Sequence, residues 1–178
     1  MGKVKPHVPV KLFAAVTYAS TVERDGLLTG ISGLLAAIEF KSEIYNFSQF
    51  TDYYQDEMGL ALSKQIVAFT GTITPESLPA IKLRTNEFEQ KQNSQGQRLV
   101  NIDPGYITSA KVLLATTKDY SHRIYLGQGI FGDVHLCYQR QSFQIQSWTY
   151  PDYRQPQILE FFNQVRNEYL RQLKSPLD

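Results

Sequence analysis

Cysteine is almost absent from this sequence, which contains only Cys137. A single cysteine cannot form an intramolecular disulfide, and it excludes a cysteine-rich zinc site. Chains that do without disulfides are typical of reducing compartments. We therefore predict a cytoplasmic location.

Long apolar runs and an excess of one charge are also missing. No stretch approaches the ~18 apolar residues of a membrane-spanning helix, and the N-terminus lacks the apolar core of a secretion signal. Lysine and arginine total 18 against 17 acidic residues, so no net field attracts nucleic acid or anionic lipid. We expect no membrane association, and the charge balance argues against nucleic acid as a partner.

Internal repeats, low-complexity tracts and long linkers are missing as well. The length of 178 residues is that of one ordinary domain, and it is enough to bury a sizeable core. We therefore predict that residues 1–178 form a single domain.

Apolar and β-branched runs indicate several strands. Val8–Ala19 predicts a strand that enters the core, and Phe40–Phe47 and Ser63–Gly71 are also expected to be extended. The last third of the chain predicts an antiparallel meander of four strands. These are Val112–Thr116, His122–Leu126, Ile130–Tyr138 and Phe143–Thr149.

Helical spacing of apolar residues indicates three main helices, at Thr21–Ile38, Pro75–Gln92 and Gln157–Leu173. Lys82 and Asn86 share one face of the middle helix, and a solvated face is the default interpretation for them. Strands and helices together predict an α+β class, with a mainly antiparallel or mixed sheet packed against helices.

Five segments carry more ionisable and aromatic residues than core strands or ordinary loops require. They are Thr51–Gly59 (TDYYQDEMG), Lys82–Glu87 (KLRTNE), Asn101–Tyr106 (NIDPGY), Thr117–Gly129 (TKDYSHRIYLGQG) and Trp148–Arg154 (WTYPDYR). With the opening strand Pro9–Phe13 (PVKLF), their order resembles an uncharacterised prokaryotic family, domain of unknown function DUF4416, over nearly the whole chain. The resemblance implies a shared fold and a shared site. It does not imply any established activity.

Some members of that family carry a GTP-binding label, but this sequence lacks the motifs of a GTPase. A phosphate loop needs two glycines at fixed separation before Lys-Ser or Lys-Thr, and Gly-Lys occurs only at Gly2-Lys3. The chain also departs mildly from the family pattern. Asp133 stands where a glutamate is usual and Lys64 where an arginine is usual. Each difference keeps the sign of the charge and changes how far the side chain extends.

The segment TDYYQDEMG offers carboxylates that could hold a divalent cation. On a helix, Asp52 and Asp56 would lie one turn apart, with Glu57 on the neighbouring stripe. Hard cations prefer oxygen ligands, so Asp52 and Glu57 are the candidate metal ligands. The alternative is that Thr51 caps a short helix and the acids only favour its positive end.

The segment NIDPGY has the composition of a tight turn, in which an aspartate bonds its own backbone before proline and glycine. A turn is the preferred interpretation for Pro104 and Gly105. Asp103 could also present oxygen atoms to a cation or to a sugar hydroxyl. We therefore treat Asp103 as a candidate catalytic residue and Asn101 as a candidate ligand-binding residue.

Lys118, His122 and Arg123 supply three cationic donors. Arginine can grip phosphate or carboxylate with two parallel bonds, lysine adds a point charge, and histidine can transfer a proton near neutral pH. His122 is therefore a candidate catalytic residue, and Lys118, Arg123 and Tyr125 are candidates for ligand binding. Strand geometry would place His122 and Arg123 on opposite faces of the sheet, so the two could not both face one ligand. The alternative interpretation of His122 is a structural histidine without a catalytic role.

The segment WTYPDYR leaves the sheet at Pro151. Tyr150 could stack on a ring, while Asp152 and Arg154 could meet the end of a neighbouring strand, so all three are candidate ligand-binding residues. An equal alternative is an ion pair from Asp152 to Arg154 or Arg123 that only fastens the last helix to the sheet.

We predict that four of these segments, TDYY, NIDPGY, KDYSHR and YPDYR, converge in space and leave at least one cation unpaired for an anionic ligand. The favoured function is binding, with or without turnover, of a small phosphorylated ligand or nucleotide, aided by a divalent cation. The alternatives are a non-catalytic RNA- or protein-binding module and a structural subunit with buried ion-pair networks. Charged groups that line an open pocket favour a ligand, and mutual pairing without a cavity favours a structural role.

Overall fold

Nine β-strands form one sheet in the part of the chain that the computed structural model describes, residues 2–94 and 96–174. They are β1 (Lys11–Ala19), β2 (Ile38–Lys41), β3 (Tyr45–Asn46), β4 (Leu62–Phe69), β5 (Val100–Ile107), β6 (Lys111–Thr116), β7 (Arg123–Gly127), β8 (Ile130–Gln139) and β9 (Ser142–Ile145). Their spatial order is β2-β4-β1-β5-β6-β8-β7, with β3 also beside β4 and β9 beside β8. Each of these pairs is antiparallel.

Helices pack on both faces of this sheet. They are α1 (Arg24–Leu34), α2 (Gln55–Met58), α3 (Leu78–Lys91) and α4 (Pro156–Lys174). On one face, Leu28 of α1 and Ile81 of α3 join a core with Val16. On the other face, Phe162 of α4 packs in a core with Phe13. The chain is therefore a single α+β domain, which confirms the predicted class. Within the described residues, none of the helices is long and apolar enough to cross a membrane.

The predicted meander is wrong, because β8 lies between β6 and β7. One edge of β8 pairs with β6, and the other pairs with β7 and then with β9. Its ten residues are long enough for both partners. The β7–β8 turn is tight, with Gly127, Gln128 and Gly129 all at positive φ. Strands β6 and β7 consequently run parallel, and the connection 117–122 crosses β8 on one face of the sheet.

The segment NIDPGY is a strand and not a turn. Asn101–Tyr106 lies inside β5, where Pro104 is the partner of Ala14 and Gly105 is the partner of Phe13. A Cβ atom at Gly105 would lie 2.3 Å from the backbone oxygen of Leu113 and 2.6 Å from the Phe13 ring. The glycine is therefore required by close packing between strands, which local composition does not reveal.

Several predicted elements differ from the structure at their ends. The expected strand Phe40–Phe47 is interrupted between β2 and β3, where the buried Ser42 hydroxyl accepts the backbone N–H of Ile66. The expected strand Phe143–Thr149 ends at Ile145. Helix α1 begins after Glu23 and not at the predicted Thr21, because the Glu23 carboxylate accepts the first free N–H groups.

Strands β5 and β6 separate at Pro104, and this fork positions the candidate site. Strand β5 pairs with β1 from Val100 to Ile107, but with β6 only from Gly105 to Ile107. Proline has no N–H group to donate to a neighbouring strand. The ladder between β5 and β6 ends where the proline stands, and polar side chains fill the space beyond it.

Candidate functional site

A two-lobed cavity lies at the fork between β5 and β6. The first part, which we call the polar lobe, has a volume of about 400 Å³ and is bordered by α3, β5, β6 and the connection 117–122. The second, the aromatic lobe, has a volume of about 330 Å³ and is bordered by the segment 47–54 and by Tyr120, Tyr150 and Pro151. The lobes share a wall made of Tyr53, Tyr54, Asn101, Asp103, Lys118 and Tyr150.

The floor of the cavity belongs to the face of the sheet that α4 covers. Phe13 and Ala15 of β1 lie in the core with α4, and Thr17 follows them on the same face because alternate residues of a strand point the same way. The cross-strand partners of Thr17 are Lys64 and Asn101, and Asp103 is the partner of Ala15. One face thus changes from an apolar core under α4 to a polar floor beyond it.

Asp103 is the centre of a hydrogen-bonded network between β5 and α3. Its Oδ1 accepts from the Lys82 ammonium at 3.0 Å, and its Oδ2 accepts from the Asn101 amide at 2.7 Å. Lys82 also donates to the Ile102 carbonyl at 2.8 Å. Burial raises the pKa of Asp103, but Lys82, Lys64 and the two hydrogen bonds outweigh it and hold the pKa below its ordinary value. The carboxylate is therefore ionised at neutral pH.

The buried position of Lys82 corrects the prediction of a solvated face. Its side chain is 6% exposed, because the N-terminal half of β5 lies apart from β6 and α3 covers the gap. Next in the network, Arg98 donates to Glu89 at 2.6 Å and also contacts Asn101 and Glu57. Burial raises the pKa of Glu89, and Lys82, the Ile102 N–H and Arg98 oppose that rise.

A second network surrounds Asp133 on β8. Its Oδ2 accepts from the Arg123 guanidinium at 3.1 Å and lies 3.2 Å from Nε2 of His122, and its Oδ1 lies 3.2 Å from Nδ1 of His135. His122 reaches the same aspartate as Arg123 because it precedes β7, so strand alternation does not separate the two. Arg123 also donates to the Lys118 carbonyl and to the Tyr150 hydroxyl. Burial raises the pKa of Tyr150 to about 12, so its hydroxyl is neutral.

A third pair joins Lys64 to Asp152 at 2.7 Å, with both side chains nearly fully buried. The Tyr45 hydroxyl donates to the same Asp152 oxygen at 2.9 Å. Asp152 therefore pairs with Lys64, whereas the sequence alternative named Arg154 or Arg123 as its partner. Arg154 instead donates to the carbonyls of Thr149 and Ser147.

Lys118 differs from the other cations of the cavity. Lys64, Lys82, Arg98 and Arg123 each have a carboxylate within 4 Å. Among the described residues, no carboxylate lies within that distance of Lys118, whose ammonium donates to the Tyr53 hydroxyl and lies 4.1 Å from the centre of that ring. It is exposed at the boundary between the lobes, because the connection that crosses β8 places it there.

The four polar segments do converge on the cavity, but some of the predicted site residues do not line it. Cavity-lining residues come from TDYY (Tyr53 and Tyr54), NIDPGY, KDYSHR and YPDYR. The predicted site residues that line a lobe are Asn101, Asp103, Lys118, Arg123, Tyr150, Asp152 and Glu57.

Four predicted site residues are absent from the lining of both lobes. His122 stacks between Tyr120 and Trp148, with ring centres 6.2 and 5.1 Å away. Tyr125 is exposed, and its hydroxyl accepts the Gly129 N–H. Arg154 binds backbone carbonyls, as described above. Asp52 accepts a hydrogen bond from Gln55.

The predicted metal ligands, Asp52 and Glu57, are not joined by further ligands in the described part of the fold. Glu57 lies 3.3 Å from Arg98, and Asp52 has its separate partner. In the described ranges there is no group of three or more histidine, cysteine or acidic side chains that could hold a metal ion.

Sequence reasoning did not assign several cavity residues to the site, above all Thr17, Lys64, Lys82, Arg98 and Asp133. A signal existed for some of them, because Lys64 and Asp133 are charged residues inside apolar strand segments. For Arg98 and Thr17 we find no comparable signal.

The fold and the cavity define the class: a single-domain α+β protein with a nine-stranded antiparallel sheet in its described part and a charged cavity where two strands separate. The family comparison is more particular. The family whose profile matches residues 8–169 is described as Domain of unknown function (DUF4416), and because the match covers most of the chain, the chain belongs to this family. No curated protein and no solved structure matches the chain at a significant level.

Proposed function

We propose that the cavity binds a small phosphorylated ligand, of which a nucleotide is one kind, through an anionic group at Lys118. The observation that carries the proposal is the pairing pattern: four of the five cavity cations described have a carboxylate partner, and Lys118, at the junction of the lobes, has none among the described residues. A paired cation is already satisfied, whereas a lysine without a carboxylate can bind a phosphate as a point charge.

The shape and lining of the cavity support the same proposal. Volumes of about 400 and 330 Å³ fall in the range of small-molecule sites. The paired groups Lys82–Asp103 and Arg123–Asp133 are fixed by their mutual bonds, so polar groups would be held in place before a ligand arrives. A cytoplasmic location belongs to the proposal too, because the sole cysteine forms no intramolecular disulfide.

The test is ligand binding by the Lys118→Gln variant. A phosphate monoester such as ribose 5-phosphate should stabilise the wild-type protein, by about 2.7 kcal/mol at a hundred times its dissociation constant. Lys118→Gln should weaken that binding roughly tenfold or more, because a hydrogen bond to a charged group contributes about 1.5–3 kcal/mol. Its fold should persist, since the side chain is exposed. Thermal shift and calorimetry measure both effects.

Lys41→Gln is the matched control, because Lys41 is an exposed lysine on the edge strand β2. It should bind ribose 5-phosphate like the wild type. If neither sugar phosphates nor nucleotides stabilise the wild-type protein, the proposal fails and the paired network is better explained as structural.

A further inference from the structure

We infer that the aromatic lobe accepts a flat heteroaromatic ring with hydrogen-bonding groups on its edge, so that the ligand is a ring-bearing phosphate of the nucleoside monophosphate class. This inference rests on the proposed binding of a phosphate at Lys118. It adds a second subsite and a residue, Thr17, that selects for the ring.

Thr17 is a buried hydroxyl that the fold leaves unsatisfied. Its residue exposure is 1%, it lines the aromatic lobe, and its Oγ1 has no hydrogen-bond partner among the described residues. Buried hydroxyl groups are nearly always paired, because leaving one unpaired is unfavourable. An unpaired hydroxyl on the floor of a cavity is therefore a position where a ligand atom would complete the bonding.

The groups beside Thr17 can bond both donors and acceptors. Lys64, its partner on β4, has three N–H donors and directs one of them to Oδ2 of Asp152. Within the described residues, the side-chain hydrogen bonds to the Asp152 carboxylate, from Lys64 and Tyr45, both go to Oδ2 and leave Oδ1 available. The lobe thus offers a donor on Lys64, an acceptor on Asp152 and a hydroxyl that can act as either. The edges of nucleobases carry donors and acceptors side by side and match this arrangement.

Aromatic side chains form part of the walls of the same lobe. Phe50 and Tyr150 line it together with Pro151, and aromatic rings stack on such side chains in offset or edge-to-face arrangements. Phe47 and Tyr120 line it as well, with Lys64 and Arg123 over their rings. Lys118 borders this lobe and the polar lobe alike. A phosphate at Lys118 is therefore next to the space that an aromatic ring would fill, and a sugar phosphate without a base would leave that space empty.

The experiment compares Thr17→Val with Thr17→Ser. Valine has the shape of threonine without the hydroxyl, whereas serine keeps the hydroxyl. The probes are uridine 5′-monophosphate and adenosine 5′-monophosphate, their nucleosides, and ribose 5-phosphate as the control without a base. Wild-type protein should bind the two nucleotides at least tenfold more tightly than ribose 5-phosphate. Thr17→Val should weaken nucleotide and nucleoside binding roughly tenfold, without changing ribose 5-phosphate binding, and Thr17→Ser should retain most of the affinity.

Urea unfolding of both variants provides the folding control. Thr17→Val removes an unpaired polar atom and should be at least as stable as the wild type. If ribose 5-phosphate binds as tightly as the nucleotides, or if Thr17→Val binds them unchanged, the ring subsite is refuted while phosphate binding at Lys118 stands. If nucleosides bind in a Thr17-dependent way but phosphates add nothing, the ring subsite stands and the Lys118 proposal fails. If none of the probes binds, both are refuted.

Discussion

His135 shows how a single buried side chain is held in one protonation state. The imidazole is fully buried, its Nε2 accepts the backbone N–H of Tyr150 at 2.9 Å, and its Nδ1 faces Asp133. Since Nε2 is an acceptor, the proton of the neutral ring must be on Nδ1, where it bonds the carboxylate. Burial lowers the pKa of His135 and outweighs the opposite effect of Asp133 and Asp152.

This environment predicts a loss of stability in weak acid. The unfolded chain binds a proton at the ordinary histidine pKa of about 6.5, whereas the folded chain binds it only at a lower pH. The contribution of His135 to the free energy of unfolding is therefore complete above about pH 6.5 and declines as the pH falls toward the folded pKa. Urea unfolding at pH 7.5 and pH 5 measures the difference.

The His135→Gln variant isolates this effect, because glutamine does not titrate and its Oε1 can accept the Tyr150 N–H. The variant should lose part of the difference between the two pH values, even if it is less stable at both. His122→Asn removes the partly exposed histidine that also contacts Asp133, and it serves as the comparison. An unchanged pH dependence in His135→Gln would show that other groups control it.

At the scale of elements, the packing of β5 between β1 and β6 depends on one glycine. A Cβ atom at Gly105 would overlap the Leu113 carbonyl oxygen and the Phe13 ring, and neither can move without disturbing the sheet. Gly105→Ala should therefore lower the free energy of unfolding by about 1–3 kcal/mol, the typical cost of overpacking a well-packed core. Chemical denaturation measures the loss.

Gly33→Ala is the matched control for that substitution. Gly33 lies in α1, and a Cβ atom there would meet nothing within 4 Å. Alanine is favoured over glycine in a helix by about 0.8–1 kcal/mol, so this variant should be slightly more stable than the wild type. Equal stability of the two variants would contradict the close approach of β1, β5 and β6.

At the scale of the whole molecule, charge balance limits which anions the protein can bind tightly. In the described part of the chain, five cations line the cavity (Lys64, Lys82, Arg98, Lys118 and Arg123), and so do five carboxylates (Glu57, Glu89, Asp103, Asp133 and Asp152). The 178-residue sequence has a formal net charge of only +1. The lining of the cavity, as far as the structure describes it, therefore has no excess of positive charge to attract the additional negative charges of a triphosphate.

We therefore expect GTP, ATP and GDP to bind no more tightly than the matching monophosphates, and without a strong guanine preference. The sequence has no phosphate-loop motif, and the groups of the proposed ring subsite, on Lys64, Asp152 and Thr17, would match donors and acceptors on the edges of several bases. Calorimetry with GTP, ATP, GDP, guanosine 5′-monophosphate and adenosine 5′-monophosphate tests this. Tight binding of GTP that ATP does not show would overturn this expectation.

Local patterns in the sequence were sufficient for the α+β class and for the approximate positions of α1, α3, α4 and most strands. Apolar spacing in Gln157–Leu173 and the apolar run of Val8–Ala19 reflect which face of an element meets the core. The polar segments were also recognisable, because charged and aromatic residues concentrated beyond what a core needs. These features depend on residues that are near one another in the chain.

Only the tertiary structure decided that NIDPGY is a strand, that β8 separates β6 from β7, and which charges pair. Lys64 and Asp152 are 88 residues apart, and the register of several strands brings them together. Local composition favoured a turn at Pro104 and Gly105, but pairing with β1 outweighed that preference. Partners at such separations follow from strand order and packing. Local composition therefore indicated where polar residues concentrate, and the fold determined that, among the described residues that line the cavity, Lys118 is the cation without a carboxylate and Thr17 carries a buried, unpaired hydroxyl.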